Sequence, residues 1–143
     1  MDAMDMVRIG ASFEAEHVFE RDASQAFARD VGDLNPVHHD ETVAAASRFG
    51  GLIASGTETT ARMLAITATY FAQIGPVVGL GFNVRFRRAV PMGARARTVW
   101  TVTSIVPKAG LGDVVTCEGT MTLIDSGLVV LEASCESLML PPP

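Results

Sequence analysis

The sequence predicts one α+β domain spanning residues 1–143, in which a curled antiparallel sheet wraps around a single long helix. Three observations carry that prediction. Residues 57–74 contain no helix breaker and are apolar on nearly every face, which marks a helix enclosed by other structure. From Gly79 onward the apolar period changes to two, through four successive segments separated by turn residues. The chain has 143 residues, 48% of them apolar, which fits one domain with a substantial core.

The first expected element is a strand over Ser12–Phe19, where Phe13, Ala15, His17 and Phe19 alternate with charged or small neighbours. Asp22, with Gln25 three residues on, reads as a capping box opening a short helix over 23–31, and Gly32 reads as its stop. Asp40 is placed to cap a second short helix through Ala44–Ser47, ended by Gly50-Gly51. Ser55 and Glu58 form a second capping box. The helix Thr57–Ile74 follows and ends at Gly75-Pro76, with Arg62 its only charge after Glu58.

The strands come next. Leu80, Phe82, Val84 and Phe86 alternate with Gly81, Asn83, Arg85 and Arg87. A turn at Pro91-Met92-Gly93 leads into Ala94–Val106, where Ala96, Trp100 and Val102 share a face. After a turn over Pro107–Gly112, the strand Val114–Ile124 puts Val115, Cys117, Met121 and Leu123 opposite Thr116, Glu118, Thr120 and Thr122. Asp125-Ser126-Gly127 is a three-residue hairpin loop with Gly where a left-handed residue is wanted. If Ile124 pairs with Leu128, Cys117 falls opposite Cys135 on the apolar face, and two buried thiols are expected there in preference to a disulfide. One strand, two short helices, a long buried helix and four antiparallel strands make the hot-dog arrangement. The short helices form an overhang before the central helix.

Composition removes several classes of function. Eleven basic against sixteen acidic residues give a net charge of −5 and no basic stripe, so nucleic acid is not an expected partner. Two cysteines make neither a disulfide scaffold nor, alone, a structural zinc site. MDAMDMVRIG lacks the basic and apolar regions of a secretory signal. The 22 uncharged residues between Arg62 and Arg85 approach the length of a bilayer span. They contain Gln73, Gly75, Pro76, Gly79 and Gly81, so a buried helix, a turn and a strand are expected instead, with no membrane partner and a cytoplasmic location. The only proline run, Pro141-Pro142-Pro143, reads as a frayed tail.

Candidate chemistry concentrates in Gly32-Asp33-Leu34-Asn35-Pro36-Val37-His38-His39-Asp40, between the two short helices. Pro36 fixes its own φ and biases Asn35 toward an extended conformation. A loop so stiffened can hold a carboxylate and an imidazole at one site, where Asp33 would take a proton from a water that His38 orients. The competing reading is a loop capped by its own Asn and Asp side chains, with solvated histidines. A metal site would need a third convergent ligand that the sequence does not place. The second candidate is Ser55-Gly56-Thr57, where the free N–H groups of a helix start could hold an oxygen that becomes negative. Its competing reading is an ordinary cap with Gly for close packing.

The run FARDVGDLNPVHHDETVAAASRFGGLIASG resembles the hydratase motif of the MaoC-like dehydratases, the (R)-specific enoyl-CoA hydratase family. Gly32-Asp33-x-Asn35-Pro36-x-His38 matches in residue type and spacing, Arg48-Phe49-Gly50 and Ile53 through Gly56 continue it, and the later strands fit the family's order. The resemblance implies reversible syn addition of water across a trans-2-enoyl thioester, giving the (R)-3-hydroxyacyl product. On that likeness Asp33 and His38 form the catalytic dyad, the Gly56 N–H holds the thioester oxygen, and Asn35 and Ser55 support the site. No metal or redox cofactor is implied; coenzyme A or acyl carrier protein is the handle on the substrate.

This chain departs from the family where many relatives have His directly before the helix-starting Gly, the place of Ser55. A Ser further along the helix often supports the Asp; here that helix offers Thr59, Thr60 and Thr67. His39 is expected to brace the loop or face solvent. Arg85, Arg87 and Arg88 form the only tight basic cluster and are candidates for the CoA phosphates, against the plainer reading of a solvated strand face. A thioesterase on the same fold would use a carboxylate on the long helix, and Glu58 stands there, but its capping role already accounts for it. A non-catalytic acyl-thioester-binding or structural subunit would have no need of Asp33 and His38 together. A homodimer or higher homo-oligomer is expected, because exposed sheet edges need covering.

Overall fold

The sheet is built from hairpins on the C-terminal side and flanked at its two edges by the two strands that precede them in sequence. The computed structural model describes residues 7–141, and within them one five-stranded antiparallel sheet has the order β1-β3-β4-β5-β2. Its strands are β1 (Ser12–Val18), β2 (Val77–Phe86), β3 (Arg95–Lys108), β4 (Gly112–Leu123) and β5 (Val129–Met139). The helices are α1 (Arg21–Val31), α2 (Glu41–Ala46) and α3 (Gly56–Ala72), with a 3-10 turn at Pro36–His38 between the first two. This is the expected hot-dog fold, with α3 lying in the curl of the sheet. No described helix is long and apolar enough to cross a membrane. The segment up to Met6, and Pro142 and Pro143 of the expected frayed tail, lie outside the described residues.

The helix is fastened to the sheet at one well-defined contact. Trp100 is fully buried on β3, and its indole N–H donates to the Met63 carbonyl of α3 at 3.0 Å. Gly119 faces it across the β3–β4 ladder, where a Cβ would come within 2.5 Å of the indole ring. A glycine is therefore required beneath Trp100. Met63, Phe71, Met121 and Leu131 complete the centre of the core. Burying side chains of this size contributes roughly 1.5–3 kcal/mol each.

The β4–β5 register places Cys117 opposite Cys135 as expected, with both thiols free and buried. The expected Ile124–Leu128 pair does not form. A bulge between Met121 and Thr122 shifts the register, and the loop closes through Gly127 N–H to the Leu123 carbonyl at 2.9 Å. The β2 alternation is present, and Phe82, Val84 and Phe86 lie opposite Cys135, Ala133 and Leu131 of β5, on the core face. Leu80, Phe82 and Phe86 nevertheless remain exposed, since β2 lies at the edge of the sheet.

Two expected capping boxes are corrected by the structure. Helix α1 starts at Arg21 behind Glu20, with no side-chain cap, so Asp22 sits inside the first turn. Gln25 donates to the His38 carbonyl at 3.1 Å, bracing the loop instead of capping the helix. Ser55 does cap α3, accepting from the Thr57 N–H at 3.2 Å. Glu58 does not reach back to it. Its carboxylate is drawn to Arg62, one turn on, at 2.8 Å.

Candidate active site

The loop from α1 to α2 is held from every side. Gly32 adopts the left-handed conformation (φ 86°) that ends α1, and the next N–H, from Asp33, bonds back to the Ala28 carbonyl at 2.8 Å. Asn35 caps the Pro36–His38 turn, accepting from the Val37 N–H, while its own N–H donates to Asp33 Oδ1 at 3.2 Å. His39 spans the loop, with Nε2 2.9 Å from the Asp33 carbonyl oxygen. The loop therefore uses its polar residues for self-capping, as the plainer reading held, and presents Asp33 and His38 as well.

His38 is buried, and its ring lies between two partners. Nδ1 is 2.8 Å from the Ile53 carbonyl oxygen, which can only accept, so the ring proton sits on Nδ1 when the imidazole is neutral. Nε2 then carries a lone pair and stands 3.4 Å from Asp33 Oδ2. Two acceptors at that separation can be reached together by one water. Asp33 is 22% exposed in its side chain, and Oδ2 accepts a hydrogen bond from the Ser55 hydroxyl. That bond, joined by the Asn35 N–H and the neighbouring imidazoles, holds the Asp33 carboxyl below the usual carboxylate range against the opposing effect of desolvation.

Ser55 and Gly56 bring the start of α3 to the same place. Gly56 begins the helix, so its N–H has no intrahelical acceptor, and none is found for it among the described residues. A Cβ there would meet the Phe86 ring at 3.0 Å, so the glycine also serves close packing. Thr59 and Thr67, expected as possible supports for the Asp, instead donate to carbonyls of their own helix at 3.2 and 2.7 Å. The support for Asp33 is Ser55.

A cleft of about 340 Å³ opens beside His38 and Gly56, walled by Thr59, Phe86, Arg87 and Arg88. Asp33 is not one of its walls, but lies directly behind His38, which is. Of the three candidate arginines, Arg87 pairs with Glu132 through two hydrogen bonds of 3.0 and 2.7 Å, and Arg88 donates to the Val129 carbonyl. Arg85 is set apart, in the groove of the outer sheet face with Thr101, Glu118 and Thr120. Arg48, passed over as a basic residue in the sequence, borders the His38 cleft. Its signal was its place in the motif run, not proximity to other charges.

A second, more apolar cleft of about 500 Å³ lies on the β1 side of α3, between Phe13, His17, Ile66 and Tyr70. His17 and Arg62 at its mouth are both turned toward Glu58. Glu58 walls neither cleft, so the thioesterase candidate has no open position for a substrate carbonyl. Among the described residues no three His, Cys, Asp or Glu side chains converge as metal ligands.

The MaoC-like domain matches residues 5–122 of this sequence, so the chain belongs to the MaoC-like dehydratase family. It is similar in structure to the MaoC-like dehydratase from Rhodospirillum rubrum, with 29% identity over 98% of this chain and 97% of that one and a TM-score of 0.83. An Archaeoglobus fulgidus protein is 31% identical over 92% of this chain and 78% of its own, with a TM-score of 0.78. The (R)-hydratase PhaJ1 from Pseudomonas aeruginosa is 27% identical over 95% of this chain and 83% of its own, with a TM-score of 0.76. No curated protein gives a match.

Proposed function

We propose that the chain reversibly hydrates a trans-2-enoyl thioester of coenzyme A or acyl carrier protein, giving the (R)-3-hydroxyacyl thioester. The observation that carries this reading is the 3.4 Å approach of Asp33 Oδ2 to a His38 Nε2 whose ring proton is committed to Ile53. A water shared by these acceptors points both hydrogens at the protein and leaves a lone pair for the substrate β-carbon. As the new C–O bond forms, Asp33 takes one water proton and the double-bond electrons shift toward the thioester carbonyl. The Gly56 N–H and the positive end of α3 stabilise the oxygen as it becomes enolate-like. Asp33 then returns the proton to the α-carbon. One group taking and giving the proton on one face makes the addition syn. The (R) assignment rests on the likeness to PhaJ1.

Arg87, Arg88 and Arg48 border the same cleft and give the thioester's phosphates a basic rim; Arg85 does not. The exposed apolar row on β2, with one edge unpaired among the described residues, supports assembly of two copies through that strand.

Incubation with crotonyl-CoA in ¹⁸O-labelled water, followed by mass and chiral analysis, tests the reading. A water adduct labelled at carbon 3 with (R) configuration is expected. Free thiol with label in the carboxylate would mean thioester hydrolysis and would overturn it.

A further inference from the structure

Ser55 stands in three hydrogen-bonding contacts but has only one proton and two lone pairs to place in them. Its partners are Asp33 Oδ2, the Thr57 N–H and Thr57 Oγ1. The backbone N–H can only donate, so it takes one lone pair. The ionised carboxylate can only accept, so it takes the single proton. One lone pair remains, and Thr57 Oγ1 must therefore be the donor to it. The direction of the whole chain is fixed, from the Thr57 hydroxyl to the Ser55 hydroxyl to Asp33.

We propose that Thr57 is a positioning residue of the hydration site, locking the Ser55 proton onto Asp33 Oδ2. This rests on the hydratase reading for its catalytic meaning, but the hydrogen-bond chain itself does not. Ser55 is fully buried while Thr57 is exposed, so the outer hydroxyl reaches the surface two residues from the buried one. Without Thr57 Oγ1 the Ser55 hydroxyl keeps a free lone pair and its bond to Asp33 loses the polarisation that a donated bond supplies. The carboxylate then turns more freely, and the oxygen facing His38 is less sharply defined. The titratable groups acting on Asp33 are His38 and His39, both from its own loop. Glu58, on the next residue of α3, is turned to Arg62 and His17.

The test is a pH titration of the Asp33 carboxyl carbon by NMR in Thr57→Val, Thr57→Ser and Ser55→Ala, with kcat and KM measured beside it. Thr57→Val is expected to raise the Asp33 midpoint by about half a unit and Ser55→Ala by about one unit or more. Thr57→Ser keeps the hydroxyl and should titrate as the wild type. In turnover, Thr57→Val should lower kcat about threefold to tenfold with KM little changed, and its acid limb should move up by the same half unit. Thr57 is exposed and its valine variant keeps the backbone cap, so the Val and Ser pair decides the matter even if Ser55→Ala does not fold. An unchanged midpoint in Thr57→Val, or an equal shift in Thr57→Ser, overturns the proposal. A wild type that titrates as expected but hydrates no enoyl thioester overturns the hydratase reading and leaves the chain of hydroxyls standing.

Discussion

Two carboxylates flank the first turn of α3, each with a histidine beside it, and only one is arranged for chemistry. Asp33 keeps 22% of its side chain exposed, takes hydrogen bonds from neutral donors, and faces an imidazole nitrogen with a lone pair to share. Glu58 is fully buried and its Oε2 is bound by the Arg62 guanidinium at 2.8 Å, with His17 Nε2 at 3.8 Å. Its Oε1 has no partner among the described residues. A neutral donor lowers a carboxyl's pKa while leaving lone pairs for water, whereas an arginine on a buried carboxylate takes up the charge and the space together. Proximity of acid and histidine is thus not sufficient for an acid–base site. What distinguishes Asp33 is access to water and a base that is not already neutralised.

The contrast is sharpest in activity. His38→Ala removes the lone pair that shares the water and should slow enoyl-thioester hydration at least about a hundredfold, measured as initial loss of the enoyl absorbance. Stability should show the opposite pattern. Arg62→Met leaves the Glu58 carboxylate buried without its cation and should cost about 2 kcal/mol by urea unfolding, less than for a fully enclosed pair because Arg62 is one-third exposed. The His38 change should cost less stability than that.

Acid should separate the two sites again. Burial, and then the Arg62 charge, lower the His17 pKa, so the unfolded chain binds its proton more readily than the folded one. That stability is fully present above the unfolded value of about 6.5 and is lost as pH falls through the lowered folded value. The Asp33 carboxyl is also lowered, so its contribution persists above the usual carboxylate range and fails only in stronger acid. Melting temperature should therefore begin to fall below about pH 6.5. His17→Asn should flatten that first decline and leave the lower one. The smallest effect is on the rim of the cleft. Arg88→Gln should raise KM for a CoA thioester by about threefold to tenfold, while Arg85→Gln on the far face should leave it unchanged.

Much of this was legible in the sequence, and the limits are physical. The enclosed helix, the strand order of the C-terminal hairpins and the Cys117–Cys135 pairing follow from periods and turn residues, which are local. The Asp33–His38 pair was legible because a separation of five positions that includes Pro36 confines it to one stiff loop. Side chains that choose a distant partner were not. Gln25 and Glu58 both fit a capping box, yet Gln25 reaches the His38 carbonyl and Glu58 reaches Arg62 and His17. The alternation of β2 showed a strand and its apolar side, but not that Phe82 and Phe86 on that side would stay exposed, since that depends on its place at the sheet edge. Likewise Arg85 and Arg88 are three residues apart in sequence and belong to different faces.

The central claim is that Asp33, and not the equally conspicuous Glu58, is the carboxylate that handles the proton of water. Initial rates of enoyl-thioester hydration for Asp33→Asn and Glu58→Gln, each normalised to folded protein, test it most directly. Asp33→Asn should fall at least about a hundredfold while Glu58→Gln stays within about threefold of wild type. A reversed order, with Glu58→Gln inactive and Asp33→Asn near wild type, would contradict the account.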